Sequence, residues 1–313
     1  MARRSSIGDP EALRSSLVEL LTDFENHLKS SSLRQQVREL IPANHLLRDL
    51  GSSLLRDESA KAARERILRY LLKYVGEVID GEELMVIGGI SEYARRIREL
   101  RVEHGWKLIT GYTVKDMKAD EENGFGEELD SMKPDDYLLL SDEQDRDAAY
   151  RWNVANEIRK EKDLSVRDKI LKYFRSNVGK EVSGEELRYV ANNKSEWARR
   201  TRELRTEYGW PIMTQSTGMP ELAVSMYVLV EDRQAPEHDR TIKDAVRREV
   251  YMRDEHTCQD CGWNHNKWNP SDPRHLEAHH IKHHVDGGEN TVGNLVTLCN
   301  ICHDKRHRKG END

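Results

Sequence analysis

No apolar run approaches the ~20 residues needed to cross a bilayer, which argues against a membrane-spanning helix. The basic start MARRSSIGDP is not followed by an apolar segment, so no secretory signal is expected and a cytoplasmic location is the plain expectation. Cysteine is scarce: there are four, none before Cys258, so nothing upstream can form a disulfide. Histidine is almost as uneven, with nine of thirteen after residue 240. Net positive charge is missing too, the balance being −7. That deficit has one source, because Lys115 to Asp142 hold three lysines against ten acids. The remainder is neutral with local basic faces, so overall acidity does not exclude a nucleic-acid partner. At 313 residues, 34% charged and 36% hydrophobic, the chain reads as soluble and long enough for several compact domains.

What is present in the middle is a duplication. SEYARRIRELRVEHGWKLIT (Ser91 to Thr110) aligns with SEWARRTRELRTEYGWPIMT (Ser195 to Thr214) at 13 of 20 positions. The match extends back through GEVIDGEEL and GKEVSGEEL, and forward to YLLLSD at Tyr137 and YVLVED at Tyr227. Each copy predicts an amphipathic helix, a short helix at GEEL, a charged helix ending at a Gly-Trp pair, and then two strands. Three helices followed by a two-stranded hairpin resemble a winged helix-turn-helix, whose third helix enters the DNA major groove.

The helical wheel agrees. Tyr93, Ile97, Leu100 and His104 share a face expected to pack inward. Arg95, Arg98 and Val102 lie opposite, with Arg101 on a flank; the second copy offers Arg199, Arg202 and Thr206, with Arg205 on the flank. Each seventeen-residue helix region carries five Lys or Arg against three acids. Arginine suits phosphate and the O6/N7 edge of guanine, and a β-branched side chain in the groove can touch a pyrimidine methyl. Protein–protein contact is the competing use of such a module.

The N-terminal sixty residues read as a helical arm, with Leu13, Leu17, Leu20 and Leu21 at helical spacing; it packs on the first repeat or on a second copy of the chain. The expected α+β architecture is therefore an arm over 1–60, winged helices over 61–143 and 164–233, a helical connector over 144–163, a linker over 234–245, and a zinc-stapled ββα-metal domain over 246–313.

That last domain rests on two C-x2-C pairs, Cys258/Cys261 and Cys299/Cys302, separated by 37 residues. Two such knuckles close a tetrahedron around a structural zinc. Between and after them run LEAHHIKHHVDGGENTVGNLVTLC and CHDKRH. From Tyr251 to His307 this resembles the HNH endonucleases of the ββα-metal class: a strand ending in a ligand-then-His pair, a Gly-Gly loop, Asn-Leu, and a Cys-flanked helix bearing the last His. The resemblance implies that His280 is the general base and that His279 and His303 hold a catalytic Mg2+ or Mn2+, with His307 as a further ligand. It makes Asn294 either the residue that fixes the loop and orients the base or one whose amide touches the metal. His283 and His284 fall outside the key positions, as phosphate contacts or solvated loop residues.

Two reading modules ahead of one nuclease module imply a site-specific endonuclease for double-stranded DNA, of restriction type. One centre cuts one strand, so a double-strand break needs two chains, as in a homodimer, or two nicks. The pairs Arg101-Val102 and Arg205-Thr206 resemble the Arg/His-then-methyl-bearing pair of BisI-type modification-dependent endonucleases, which cut GCNGC sites carrying 5-methylcytosine. The alternatives are an HNH restriction, nicking or homing enzyme for unmodified DNA, and a non-catalytic zinc-containing DNA-binding regulator.

Overall fold

The computed structural model describes residues 6–30, 32–57, 59–119, 125–235, 242–267, 272, 274–282 and 288–310, the side chains of 30 and 307–310 excepted. The chain divides into two compact units, residues 1–112 with 126–150 and residues 113–125 with 151–313. Among the described residues no helix is long and apolar enough to cross a membrane.

The first unit opens on α1 (Pro10–Ser30) and α2 (Leu33–Ser53), which pack on each other, and Phe24 of the first and Ala43 of the second are buried. Ser32 starts α2 in a capping box with Gln35, whose side chain returns to the Ser32 amide at 3.1 Å. The first repeat follows as α3 (Ala63–Lys73), β1 (Val78–Asp80), α4 (Gly81–Gly88), α5 (Tyr93–Val102), β2 (Trp106–Thr110), α6 (Gly111–Lys118), the short α7 (Glu127–Asp130) and β3 (Asp136–Gln144). Asp80 begins α4 by accepting from the Glu82 amide, while Glu83 reaches back to the Asp80 amide, so two otherwise unpaired donors are satisfied. Ile97 and Leu100 of α5 are buried with Ile67, Leu71, Leu84 and Leu139, and Tyr93 packs against that core, as its helical spacing requires.

The second unit contains α8 (Ala148–Lys160, whose first turn belongs to the first unit) and then the second repeat: α9 (Val166–Arg175), β4 (Glu181–Ser183), α10 (Gly184–Val190), α11 (Trp197–Thr206), β5 (Ile212–Met213) and β6 (Met226–Leu229). It ends in α12 (Asp244–Arg253), the antiparallel pair β7 (Leu276–His280) and β8 (Leu295–Cys299), and α13 (Asn300–Gly310).

Each repeat has a three-stranded antiparallel sheet where two strands were expected. The orders are β1-β3-β2 and β4-β6-β5. The extra strand is the Val-Ile-Asp or Glu-Val-Ser triplet just before each GEEL helix. Three residues are too few to show an alternation, so only pairing with a longer strand reveals them.

The start of the acidic stretch Lys115 to Asp142, with the two residues before it, belongs to the second unit: Thr113 Oγ1 donates to Glu185 at 2.6 Å, and Asp116 accepts from Arg188 Nε at 3.0 Å and Trp197 Nε1 at 3.1 Å. Met117 is buried in the core of that repeat. Residues 120–124 lie outside the described residues. A buried ion pair, Arg151 to Glu186 at 2.9 Å, ties α8 to α10, and the Tyr173 hydroxyl donates to the same carboxylate at 2.8 Å. Burial, then the Glu186 charge, pushes the Tyr173 phenol well above its ordinary range.

The Gly-Trp pair after α5 has a steric cause. Gly105 sits at φ +69°, and a Cβ there would stand 1.8 Å from the Asp145 carbonyl oxygen. Gly105→Ala should therefore cost more than about 1 kcal/mol, read as a lowered melting temperature; an unchanged melting curve would show that the turn relaxes freely.

Candidate metal centres

β7 and β8 pair in one continuous register, from Leu276 opposite Cys299 to His280 opposite Leu295. Leu276, Leu298, Tyr251 and Trp263 form the core beneath, and the Tyr251 hydroxyl donates to the Leu276 carbonyl at 3.1 Å. Arg253, at the end of α12, donates to the Val292 and Leu295 carbonyls at 2.6 and 2.7 Å. Its neighbour Asp254 accepts from the Thr297 amide at 2.8 Å. Together they clamp the hairpin to α12.

The four cysteines converge. Their sulfurs all lie within 4.8 Å of one another, and Cys261 and Cys299 are 3.8 Å apart. A tetrahedron with Zn–S bonds of about 2.3 Å has edges of about 3.8 Å, so the set fits a zinc ion. The first knuckle closes through Cys258 N–H to the Trp263 carbonyl, and Asp260 inside it takes both nitrogens of an Arg306 fork from α13, at 2.6 and 3.0 Å. Burial and then the neighbouring thiols push Cys302 far up, and burial lifts Cys299 to about 11. Four sulfurs so placed become thiolates together only when a cation compensates them.

The second cluster lies beside this staple. Because side chains alternate along a strand, Glu277 and His279 share one face of β7 and His280 takes the other. His279 meets His303, one residue past Cys302 on α13, with ring centroids 4.8 Å apart and planes perpendicular. Both rings are buried, as is His280. Two imidazoles, one from a strand and one from a helix, are thus brought together face to edge. The side chain of His307 lies outside the described residues, as do His283 and His284.

Glu277 is the residue sequence reasoning missed. Its Oε1 accepts from His275 Nε2 at 3.1 Å, and its Oε2 stands 3.0 Å from His303 Nδ1. Burial alone would raise this carboxyl, but His275 and His303 outweigh it and hold it well below the usual range. A carboxylate near Nδ1 of a histidine is the usual arrangement that leaves its Nε2 free to bind a metal. The signal was available: Glu-x-His on a strand places both side chains on one face.

The opposite face has its own partner. His280 Nε2 lies 2.6 Å from Asn290 Oδ1. Asn294, expected to orient the base or touch the metal, has its amide engaged in the loop: Nδ2 donates to the Lys282 and Glu289 carbonyls, and Oδ1 accepts from the Lys282 amide. The amide that meets the ring of His280 belongs to Asn290 rather than to Asn294. Gly288 is required there, since a Cβ would stand 1.9 Å from the Lys282 carbonyl oxygen.

On α5, Arg95 and Arg98 are exposed and Arg101 and Val102 half-buried. On α11, Arg199 is exposed and Arg202 and Thr206 half-buried, the Thr206 hydroxyl donating back to the Arg202 carbonyl at 3.1 Å. Arg205 departs from expectation. Its side chain is 5% exposed and forks onto Asp244 of α12, Nε to Oδ1 at 2.9 Å. The flank that a helical wheel leaves at the edge of the exposed face is covered here by α12, which docks on the second repeat.

Two outcomes follow from these contacts. Cys258→Ser should remove one zinc per chain and unfold the C-terminal module, measured by elemental analysis and circular dichroism; retained structure without zinc would refute the staple. Arg205→Ala should leave Asp244 buried and unpaired and cost about 3–5 kcal/mol, whereas an unchanged denaturation midpoint would show the pair to be dispensable.

Residues 64–140 and 167–230 match the model of the KpnI N-terminal domain, stretches that coincide with the two repeats, and residues 258–309 match that of the HNH endonuclease. No curated protein and no solved structure matches the chain. A C-terminal HNH endonuclease domain with a four-cysteine cluster thus follows a KpnI N-terminal domain, the make-up of a DNA endonuclease.

Proposed function

We propose that the protein is a site-specific restriction endonuclease that hydrolyses double-stranded DNA, with winged-helix modules over 61–143 and 164–233 reading the target and residues 246–313 cutting it. The observation that carries this is the meeting of His279 and His303 on one side of β7, with His280 on the other. The reading modules are supported by the order helix, strand, helix, helix, strand, strand in the second repeat, which the first repeat shares apart from α6 and α7 between its last two strands.

His279 and His303, with His307 as a candidate third donor, would hold Mg2+ or Mn2+. A divalent cation bound there supplies neutralisation of charge on the phosphate and the leaving oxygen. His280 takes the proton of the attacking water. In the tautomer that donates Nε2–H to Asn290, Nδ1 is the basic nitrogen. Asn290 then fixes the ring, and Asn294 with Gly288 fixes the loop carrying Asn290. The four thiolates hold structural zinc.

Target reading falls to Arg95, Arg98 and Arg101 of α5 and to Arg199 and Arg202 of α11, reaching phosphates and guanine edges. Arg205, engaged by Asp244, is left out of this set. A second reading, dependence on 5-methylcytosine in a GCNGC-like site, is favoured by Val102 and Thr206. Both are β-branched, both occupy matched positions ending their helices, and the hydroxyl of Thr206 is tied back to its own helix. The Arg-then-methyl pair is complete only in the first repeat, so Val102 is the side chain to test.

The experiment is incubation of the protein and Mg2+ or Mn2+ with methylated and unmethylated copies of one plasmid. Cutting at fixed positions supports a restriction enzyme, and cutting of only the methylated copy supports methyl dependence. Binding without cutting of either points to a regulator and overturns the proposal. His280→Ala should lower cleavage at least about a hundredfold while DNA binding in gel shifts is retained; a variant that still cuts removes His280 as base. Val102→Ala should narrow the preference for methylated DNA by on the order of 1 kcal/mol, and an unchanged preference counts against methyl reading.

A further inference from the structure

The two repeats match closely in sequence, yet their charged helices differ in exposure. α5 buries two of its ten residues, Ile97 and Leu100, the inward stripe of a surface helix. α11 buries six of ten: Trp197, Ala198, Thr201, Glu203, Leu204 and Arg205. Matched positions diverge one by one. Ala94 and Arg98 are exposed on α5, whereas their counterparts on α11, Ala198 and Arg202, are buried and half-buried. Arg98 has no hydrogen bond or ion pair among the described residues. Of the arginines on α11 only Arg199 is exposed, and its Nε rests on Glu203 at 2.9 Å.

What covers α11 reaches it at both ends. In the first turn Trp197 Nε1 donates to Asp116 of α6 at 3.1 Å, and Met117 is buried in the same core as Trp197, Ala198 and Leu204. In the last turn Arg205 forks onto Asp244 of α12. The turn Gln215–Thr217, between the last two strands of this repeat, packs on α12 as well. Within its own unit α5 packs on α3, α4 and β2, and its outward side carries no such clasp. A helix with its side chains is about 10–12 Å across, and the major groove is about 12 Å wide. A helix that enters the groove therefore fills it, and an element seated on its flank meets the phosphate walls before the helix reaches the bases.

We infer that the repeats divide the work of target reading: α5 alone reaches base edges, with Arg98 as the residue that sets specificity, while α11 offers Arg199, with Arg202 beside it, to backbone phosphates. This rests on the reading of both repeats as DNA-binding modules given above. Phosphate contacts fix register and carry no sequence information, whereas contacts to base edges do. The uncommitted, exposed arginine of α5 suits the two acceptors of a guanine edge. The braced Arg199, beside a clasped helix, suits a phosphate oxygen.

The test is selection by the full chain, without added Mg2+ or Mn2+, from a randomised duplex library synthesised once with cytosine and once with 5-methylcytosine. Wild type should enrich a motif from one of the two. In that library Arg98→Ala should lower the preference at one base position about tenfold or more. Arg98→Lys should hold most of the affinity and lose the same preference, because an ammonium lacks the guanidinium fork. Arg199→Ala should keep the motif, weaken binding to all sequences alike, and reduce the slope of log affinity against log salt by about 1. Both side chains are exposed, so circular dichroism should be unchanged in all three variants. An altered motif with Arg199→Ala, or an unaltered one with both Arg98 variants, overturns the inference and leaves site-specific binding in place. A wild type that binds DNA but enriches no motif removes the site-specific reading and the inference with it.

Discussion

Four sulfur atoms within 4.8 Å set the geometry of the C-terminal module. Cys258 and Cys261 come from the loop after α12, Cys299 ends β8, and Cys302 lies in the first turn of α13. Three of the four are also core residues, buried with Tyr251, Trp263, Leu276 and Leu298. So small a core gains little from apolar burial alone, and a bound cation adds folding free energy where the hydrophobic effect is short. The imidazoles of His279 and His303 are both referenced to that staple. His303 follows Cys302 directly, and His279 sits on the strand whose first residue pairs with Cys299. A change at the sulfurs therefore propagates to the relative placement of the two rings.

The duplication shows one sequence motif put to two uses. Arg101 and Arg205 occupy matched places at the ends of α5 and α11, yet Arg101 is half-buried and Arg205 is enclosed against Asp244. Burial alone would raise the Asp244 carboxyl; the Arg205 charge outweighs it and holds the group below its ordinary value. In the second repeat, then, the last turn of the charged helix anchors α12, from which Arg253 and Asp254 in turn hold the β7–β8 hairpin. Packing is thus continuous from the helix proposed to read DNA to the strand bearing the histidines.

Much of this was legible beforehand, for definable reasons. Seventh-residue and fourth-residue spacings marked the helices, and Ile97 and Leu100 are as deeply buried as their wheel positions required. The C-x2-C pairs announced a tetrahedral sulfur site because local spacing fixes knuckle geometry. Three-residue strands carried no periodicity, so β1 and β4 were invisible until β3 and β6 paired with them. Arg205 was misplaced because a wheel shows which way a side chain points on its helix and not which element arrives to cover it. Asn290 and Asn294, four residues apart in one loop, could not be told apart in role without the loop's backbone.

The register of β7 against β8 emerges as the parameter to which the proposed chemistry is most sensitive. His279 and His280 are consecutive, so alternation alone sends one toward His303 and the other toward Asn290. A slip of one residue would exchange those faces, putting the proposed base among the metal-side groups and Glu277 against the core. The structure pins this register at both ends. Cys299, held in the sulfur cluster, faces Leu276 at one end, and Ile281 N–H donates to the Asn294 carbonyl at 2.8 Å just beyond the other. Between them, Asp254 takes the Thr297 amide. The sulfur staple and the Asn294 loop are therefore two clamps on a single variable, the phase of a five-residue strand, and that phase decides which imidazole faces His303 and which faces Asn290.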